Sequence, residues 1–386
     1  MQTSNVCTPI SDDLSRIFVA LELSQRTWLV TMHSPDRDRI SRFKLAGGDH
    51  AGLLALIERV RARAARVLGS APAVVCCYEA GYDGFWLHRL LTAAGITNYV
   101  FDPASIAVDQ RGRRAKSDRI DGEQLLRTLR QHCRGEPRVV RIVQVPSREQ
   151  EDVRRDTREQ ERLIKEQGAH TNRIKALLRL LGMAVGNPRR RDWLTWLDAQ
   201  RDWQGQPVPP HLRCELTREH ARLMLVREQL DALEQRPAPA TLTPAAAEMA
   251  RRQDHLMQLK SLGLVFSGRL VNEVFYKDFR NRREVGGYFG LGASPWRSGT
   301  IDRDQGISKA GNRRARHAAV ELAWLWLQHQ PHSALCRWFR QRTANASKRI
   351  RRIAIVALAR KLMVALWRYL TTGLIPEGAT LKTAKA

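Results

Sequence analysis

The chain has 386 residues, enough for two or three domains, and its 43% hydrophobic and 27% charged residues exclude a chain disordered throughout. Lys and Arg number 65 against 39 Asp and Glu, a formal charge of +26, so the protein attracts polyanions and repels basic partners. Arginine supplies 54 of those cations, the side chain that grips phosphate in a bidentate fork, although a G+C-rich genome also favours its codons. Nucleic acid is therefore the first partner to consider.

Other classes fall away on composition. No stretch of eighteen apolar residues occurs, and the polar start with Asp12 and Asp13 has no apolar leader core, so neither a membrane span nor secretion is expected. The six cysteines (Cys7, Cys76, Cys77, Cys133, Cys214, Cys336) form no C-x-x-C pair and no zinc spacing with His. They read as reduced, mostly buried thiols of a cytoplasmic protein.

In chain order, residues 1–15 read as a flexible tail. The run 16–33 (RIFVALELSQRTWLVTMH) is rich in apolar and β-branched residues and predicts two strands with a turn near Ser24 and Gln25. A third strand is expected at 39–45. Residues 48–68 predict an amphipathic helix with Leu53, Leu56, Ile57, Val60 and Ala64 on one stripe, ended by Gly69. Ala73 to Tyr78 suits a buried parallel strand, 86–94 a helix and 97–101 another strand. Hairpin-paired strands followed by alternating strands and helices indicate an α/β domain over 16–135.

From Pro146 to Leu181 charges recur every third or fourth residue, with a thin apolar stripe of Val153, Leu163, Ile164, Ile174, Leu177, Leu178 and Leu181. That predicts a long helix or coiled-coil arm, with 212–233 packing back on it antiparallel and a loop bearing Trp193, Trp196 and Trp203 between them. This helical region spans 146–236, and PAPATLTP at 237–244 is a linker. A mainly helical C-terminal domain is expected over 245–373, interrupted by glycine-rich turns, with a frayed tail over 374–386. Between Lys309 and Arg352 eleven Lys or Arg face one acid, Glu321.

Four carboxylates carry the first candidate chemistry. Glu22 is expected in the middle of the first strand and Glu79 at a strand end, directly after the apolar run AVVCCY, so the two converge if those strands are neighbours. The segment K-S-D-R-I-D at 116–121 puts Asp118 and Asp121 three apart on one helix face, with Ser117 as N-cap. Four carboxylates are the oxygen donors that two Mg²⁺ ions need to clamp a phosphodiester. Taken singly, each is more often a solvated or capping acid. The ordered set, preceded by the basic residues Arg111, Arg113, Arg114 and Lys116, favours a nuclease-like site.

A second candidate is Ser298, next to Gly299 in a loop with Arg297, Arg303, Lys309, Arg313 and Arg314 nearby in sequence. A serine hydroxyl beside a phosphate and guanidinium groups can act as a nucleophile, although on spacing alone a turn serine is the more economical reading. Residues 259–274 suggest helix, glycine turn, helix, which can offer backbone N–H groups to phosphate. Trp324, Trp326, Trp338 and Trp367 sit at helical spacing and read as core.

With these motifs in view, CYEAGYDGFWL at 77–87, RRAKSDRID at 113–121 and S-G followed by GISKAGNRRAR up to residue 316 make the chain resemble the DEDD-type transposases of bacterial insertion sequences. The resemblance extends from Ile17 to about Arg342. It implies an RNase H-like (RuvC-like) N-terminal domain whose metal-binding acids fall on Glu22, Glu79, Asp118 and Asp121, and a C-terminal domain whose nucleophile falls on Ser298. Nucleic-acid contacts would include Asn312 and Arg316 beside the basic residues already named. One departure is that the first acid of such transposases is usually Asp, whereas Glu22 is longer by one methylene.

The resemblance further implies Mg²⁺ as cofactor, donor and target DNA and a non-coding bridge RNA as partners, and a homodimer assembling to a homotetramer in the bacterial cytoplasm at the nucleoid. The reaction implied is strand exchange through a 5′-phosphoserine intermediate. Two rivals stand beside it: a Holliday-junction-type nuclease using the carboxylates alone, and an inactive nucleic-acid-binding descendant of a transposase.

Overall fold

The computed structural model describes residues 15–82, 84–106, 118–235, 243–298 and 301–382, with the side chains of Asp118, Arg119 and residues 296–304 left aside. The expected tail over 1–14 and the basic residues Arg111, Arg113, Arg114 and Lys116 lie outside the described residues, as does Ser117. The chain forms two compact units, Met1–Val145 and Pro146–Ala386.

The first unit is built on a five-stranded sheet. Strands β1 (Arg16–Glu22), β2 (Thr27–His33) and β3 (Ser41–Ala46) form an antiparallel meander, while β4 (Ala73–Glu79) and β5 (Thr97–Phe101) run parallel to β1, giving the order β3-β2-β1-β4-β5. This mixed sheet is consistent with the RNase H-like arrangement that the resemblance implies. Side chains alternate across a strand, and both faces here are covered, so β1 reads as unbroken apolar sequence. Ile17, Val19 and Leu21 meet α1 (His50–Leu68) and α2 (Trp86–Ala93) on one side. Phe18 and Ala20 meet α3 (Asp118–Cys133) on the other, through Leu125, Leu126 and Leu129.

Helix α1 begins where the Asp49 side chain accepts from the Gly52 N–H at 2.8 Å, and it buries the five residues of the expected stripe. After α3 the chain returns to the sheet: Val143 N–H donates to Val100 O at 2.8 Å and Asp102 N–H to Arg141 O at 2.9 Å. Residues 140–145 thus belong to the first unit.

In the second unit α4 (Arg148–Arg179) opens with a capping box in which Ser147 and Gln150 satisfy each other's backbone N–H groups. Its C-terminal half packs antiparallel on α6 (Pro210–Glu234), since Leu163 meets Val226 and Leu230 while Arg173 reaches Glu215 at 2.8 Å. Between them α5 (Trp193–Asp198) buries Trp193 against His220, their ring centroids 5.3 Å apart. Trp203 stays exposed, as do Val153 and Ile164 of the expected stripe.

The rest of the unit shares one core among α7 (Pro244–Met257), α8 (Leu264–Leu270), a π-helical turn Val271–Phe275, α9 (Arg282–Tyr288), α10 (Arg313–His329), α11 (Ala334–Thr343) and α12 (Lys348–Thr372). Two expectations change. Ser298 ends strand β6 (Ala293–Ser298), paired antiparallel with β7 (Ile301–Ile307), so a β-hairpin interrupts the helical domain where a loop was expected. Residues 374–382 are not a frayed tail. Lys260 N–H donates to Thr380 O, Lys382 N–H to Gln258 O, and Gln330 exchanges two hydrogen bonds with the Thr380 backbone, which satisfies groups that a free tail would leave to water. Trp326 is core as expected, its Nε1–H donating to Ser333 Oγ, whereas Trp324 is half exposed.

Candidate catalytic site

The parallel pairing of β1 with β4 runs to Leu21 opposite Tyr78, so Glu22, expected in mid-strand, instead ends β1, and Glu22 and Glu79 end neighbouring strands at the same level. Alternation puts Glu22 on the side of Ala20 and Glu79 on the side of Cys77, the face that α3 covers. Burial pushes the Cys77 thiol up, with smaller contributions from Cys76, Cys133 and the Glu79 carboxylate, as expected if Glu79 looks toward α3. Both glutamates are half buried and each engages neighbouring groups.

Helix α3 brings the two aspartates to the same end. Asp118 is its first residue and Asp121, half buried, lies one turn on. Gly122 lets the first turn settle on β2: a Cβ at this position would lie 2.5 Å from Thr31 Oγ1 and 3.6 Å from Leu29 Cδ2. Leu29 is the cross-strand partner of Glu22, so the start of α3 sits at the level where β1 ends. An ion pair between Arg42 of β3 and Glu123 ties the same turn to the sheet edge.

Glu22, Glu79 and Asp121 offer only carboxylate oxygens, the donors that hard divalent cations take. Among the described residues no three His, Cys, Asp or Glu side chains gather tightly enough to hold a metal ion, and the Asp118 side chain lies outside that set. The backbone frame therefore brings together the ends of two strands and one helix, and the described side chains there do not by themselves form a ligand cluster.

The second unit holds the serine. Ser298 is the register partner of Ile301 at the tip of the β6–β7 hairpin, and Arg297 and Arg303 flank it on the two strands. The chain then passes through Lys309, whose φ of 55° is unusual for a residue with a Cβ, to Gly311 at φ 112° and to Asn312, the N-cap of α10. At Gly311 a Cβ would stand 2.4 Å from Tyr288 O, so this close approach requires glycine.

Two of the expected nucleic-acid ligands help to hold this loop. Arg316 donates to Phe289 O at 3.1 Å and to Lys309 O at 3.0 Å. Asn312 accepts from the Arg314 and Ala315 N–H groups and donates toward Glu273 Oε2 and Tyr288 Oη at 3.3 Å each. Arg313 and Lys309 are exposed, and Arg314 lies 3.8 Å from Glu161.

Sequence reasoning missed the centre of this network, Glu273, buried within the π-helical turn. Arg158 of α4 donates to it twice, at 2.7 and 3.1 Å, and Arg154 donates to Asn272 O at 2.7 Å. Burial would raise the Glu273 carboxyl, but the Arg158 hydrogen bonds and charge outweigh it and hold the carboxyl below its ordinary value. The available signal was a carboxylate flanked by apolar residues in VNEVF, which is costly unless a cation meets it.

Comparison with known proteins matches two regions of the chain to transposase families. Residues 21–183 match the DEDD transposase family of the IS110 type, and residues 253–336 match the family described as Transposase IS116/IS110/IS902 family. The chain is 45% identical over 384 residues, 97% of each protein, to "Putative transposase y4rJ" of Sinorhizobium fredii (strain NBRC 101917 / NGR234). It is 27% identical over 282 residues to "Putative transposase y4qE" of the same strain, covering 72% of this chain and 64% of that protein. Among the described residues no helix is long and apolar enough to cross a membrane. With both halves matched and a near full-length relative, the chain belongs to the IS110 family of DEDD-type insertion-sequence transposases.

Proposed function

We propose that the protein is an insertion-sequence recombinase that cuts and rejoins DNA with two cooperating centres, a carboxylate centre of Glu22, Glu79, Asp118 and Asp121 and the nucleophile Ser298. The observation that most supports the first centre is the shared level of Glu22, Glu79 and the first turn of α3 on one face of the sheet. Proteins of this family generally use divalent metal ions, and the all-oxygen donor set suits Mg²⁺. When bound, such ions neutralise charge that develops on the scissile phosphate.

In this reading Ser298 Oγ attacks the scissile phosphorus. An Oγ–P bond forms, the P–O3′ bond breaks, and the serine proton passes through a base to the departing 3′ oxygen. Arg297, Arg303, Arg313 and Arg314 orient the phosphate and balance its charge. A 3′-hydroxyl of the strand to be joined then attacks the 5′-phosphoserine, which restores the serine hydroxyl. One phosphodiester replaces another, so no external energy source is needed. A bridge RNA that pairs with donor and target DNA, and a tetramer in which the carboxylate centre of one subunit works with the serine of another, complete the proposal. Glu22 in place of Asp keeps a carboxylate in the set.

The test is denaturing electrophoresis of wild-type protein with element RNA, end-labelled donor DNA and Mg²⁺, beside Ser298→Ala and Glu79→Gln. The proposal expects a protein–DNA adduct in the wild type, none with Ser298→Ala, and neither adduct nor cleavage with Glu79→Gln. Cleavage that persists in Ser298→Ala would favour a resolvase-type nuclease, and binding without cleavage in the wild type would favour an inactive descendant.

A further inference from the structure

Several arginines of the second unit are paired with acids: Arg158, Arg173, Arg213, Arg252 and Arg269 all lie within ion-pair distance of carboxylates. One surface instead gathers cations without such partners. A groove of about 1120 Å³ runs between α9, the β6–β7 hairpin and α12, and α12 contributes Arg349, Arg352, Arg360, Lys361 and Arg368 to it. The facing wall adds Arg282 and Arg283 of α9 and Lys309. Among the described side chains no acidic one lines it, and none of these eight cations has a carboxylate partner.

Seven of the eight are exposed, and the half-buried Arg360 lies against the α9 backbone, its Nε 2.8 Å from where a Gly286 Cβ would stand. Lys361 is held over the Trp338 ring, Nζ 4.8 Å from its centroid. Concentrating unpaired cations in one groove is electrostatically unfavourable in the free protein, which a polyanion would relieve.

From these observations we propose that the α9–α12 groove is a sequence-independent seat for one phosphodiester backbone, built mainly on α9 and α12 and meeting the Ser298 hairpin at Gln305–Ile307 and Lys309. Along α12 the basic residues extend from 349 to 368, about 28 Å at 1.5 Å per residue. A B-form strand places a phosphate about every 3.4 Å, so the groove matches about eight phosphates with eight cations. Among the described side chains none that lines the groove is aromatic, and the contacts they offer are to charge and spacing. The choice of polyanion rests on the recombinase reading, and the backbone can come from DNA or from RNA. An acidic protein segment is the alternative.

The test measures binding in EDTA, without cleavage, so that a failure of the catalytic reading leaves it unaffected. Full-length wild type, the groove triple Arg349→Gln/Arg352→Gln/Arg368→Gln and the charge-matched triple Lys165→Gln/Arg179→Gln/Arg218→Gln on α4 and α6 are titrated by fluorescence anisotropy. The ligands are a DNA duplex, single-stranded DNA, an RNA hairpin and a polyglutamate peptide at several salt concentrations. All six positions are exposed, and circular dichroism checks folding.

The groove triple is expected to lower the slope of log affinity against log salt by about 2.7 for the duplex or about 2.1 for the single strand, equally for unrelated sequences. The ligand class whose slope falls identifies the source of the backbone. A slope unchanged in the groove triple, or lowered equally in the α4/α6 triple, would overturn the proposal. So would loss of polyglutamate-peptide binding in the groove triple with nucleic-acid binding unchanged, which would make the groove a protein-docking surface.

Discussion

Gly122 gives the sharpest handle on how the carboxylate centre is assembled. Replacing a helical glycine by alanine ordinarily stabilises a helix by about 1 kcal/mol. Here the added methyl would lie 2.5 Å from Thr31 Oγ1 and 3.5 Å from Thr31 Cβ, within a fully buried strand. Overpacking of this kind costs about 1–3 kcal/mol, so Gly122→Ala is expected to destabilise the first unit by about 0–2 kcal/mol net. The larger effect falls on activity, because the strain is relieved by lifting the turn that carries Asp118 and Asp121, and misplacement by about 1 Å can cost about 100-fold in rate.

Among the described residues Thr31 Oγ1 is buried without a hydrogen-bond partner, so Thr31→Ala removes the clash and sacrifices no hydrogen bond among them. The double variant should recover much of the single variant's loss in metal-dependent DNA cleavage and in thermal unfolding, a coupling of about 1–2 kcal/mol. Gly122→Ala that is more stable than wild type and cleaves at the wild-type rate would refute the reasoning. So would a double variant showing no coupling.

Four further outcomes follow from the second unit and the cysteines. Arg158→Ala strands the buried Glu273 carboxylate. Losing one partner of a buried pair costs about 3–5 kcal/mol, and the partial exposure of Arg158 reduces the expectation to about 1–3 kcal/mol by denaturant unfolding. Because the Glu273 carboxyl is held below its ordinary 4.5, its contribution is present above that value and lost as pH falls through the folded value. Wild type should therefore lose stability on acidification more steeply than Glu273→Gln, and equal slopes would contradict the assignment. Gly311→Ala forces a Cβ against Tyr288 O and should destabilise the second unit by 1 kcal/mol or more on the order-of-magnitude scale of backbone strain, read as a lower melting temperature. A thiol reagent should label Cys214 rapidly in the folded protein and leave Cys76, Cys77, Cys133 and Cys336 protected until unfolding.

The first unit was legible because its periodicities are clean. Continuous apolar and β-branched runs marked β1 and β2, whose two faces are both buried, and the 3.6-residue stripe from Leu53 to Ala64 marked α1. The relation of Glu22 to Glu79 depended on strand adjacency, which spacing alone could only pose as a condition. The β6–β7 hairpin was hidden because Pro295, Gly299 and Gly306 interrupt any alternation. The pinned C-terminal segment was hidden because its order comes from backbone hydrogen bonds to Gln258, Lys260 and Gln330, distant partners that local composition does not encode. Glu273 escaped for a similar reason: its cation lies on α4, more than a hundred residues earlier.

The claim that Ser298 becomes covalently joined to DNA is tested most directly by mapping the adduct. Trypsin cleavage after Arg297 and Arg303 releases Ser-Gly-Thr-Ile-Asp-Arg, which contains two hydroxyl side chains, Ser298 and Thr300. After nuclease trimming of a trapped reaction, mass spectrometry should find this peptide carrying a 5′-linked nucleotide, with fragmentation placing the phosphate on Ser298. A nucleotide on Thr300 or on another peptide, or efficient DNA cleavage with this peptide always unmodified, would contradict the account.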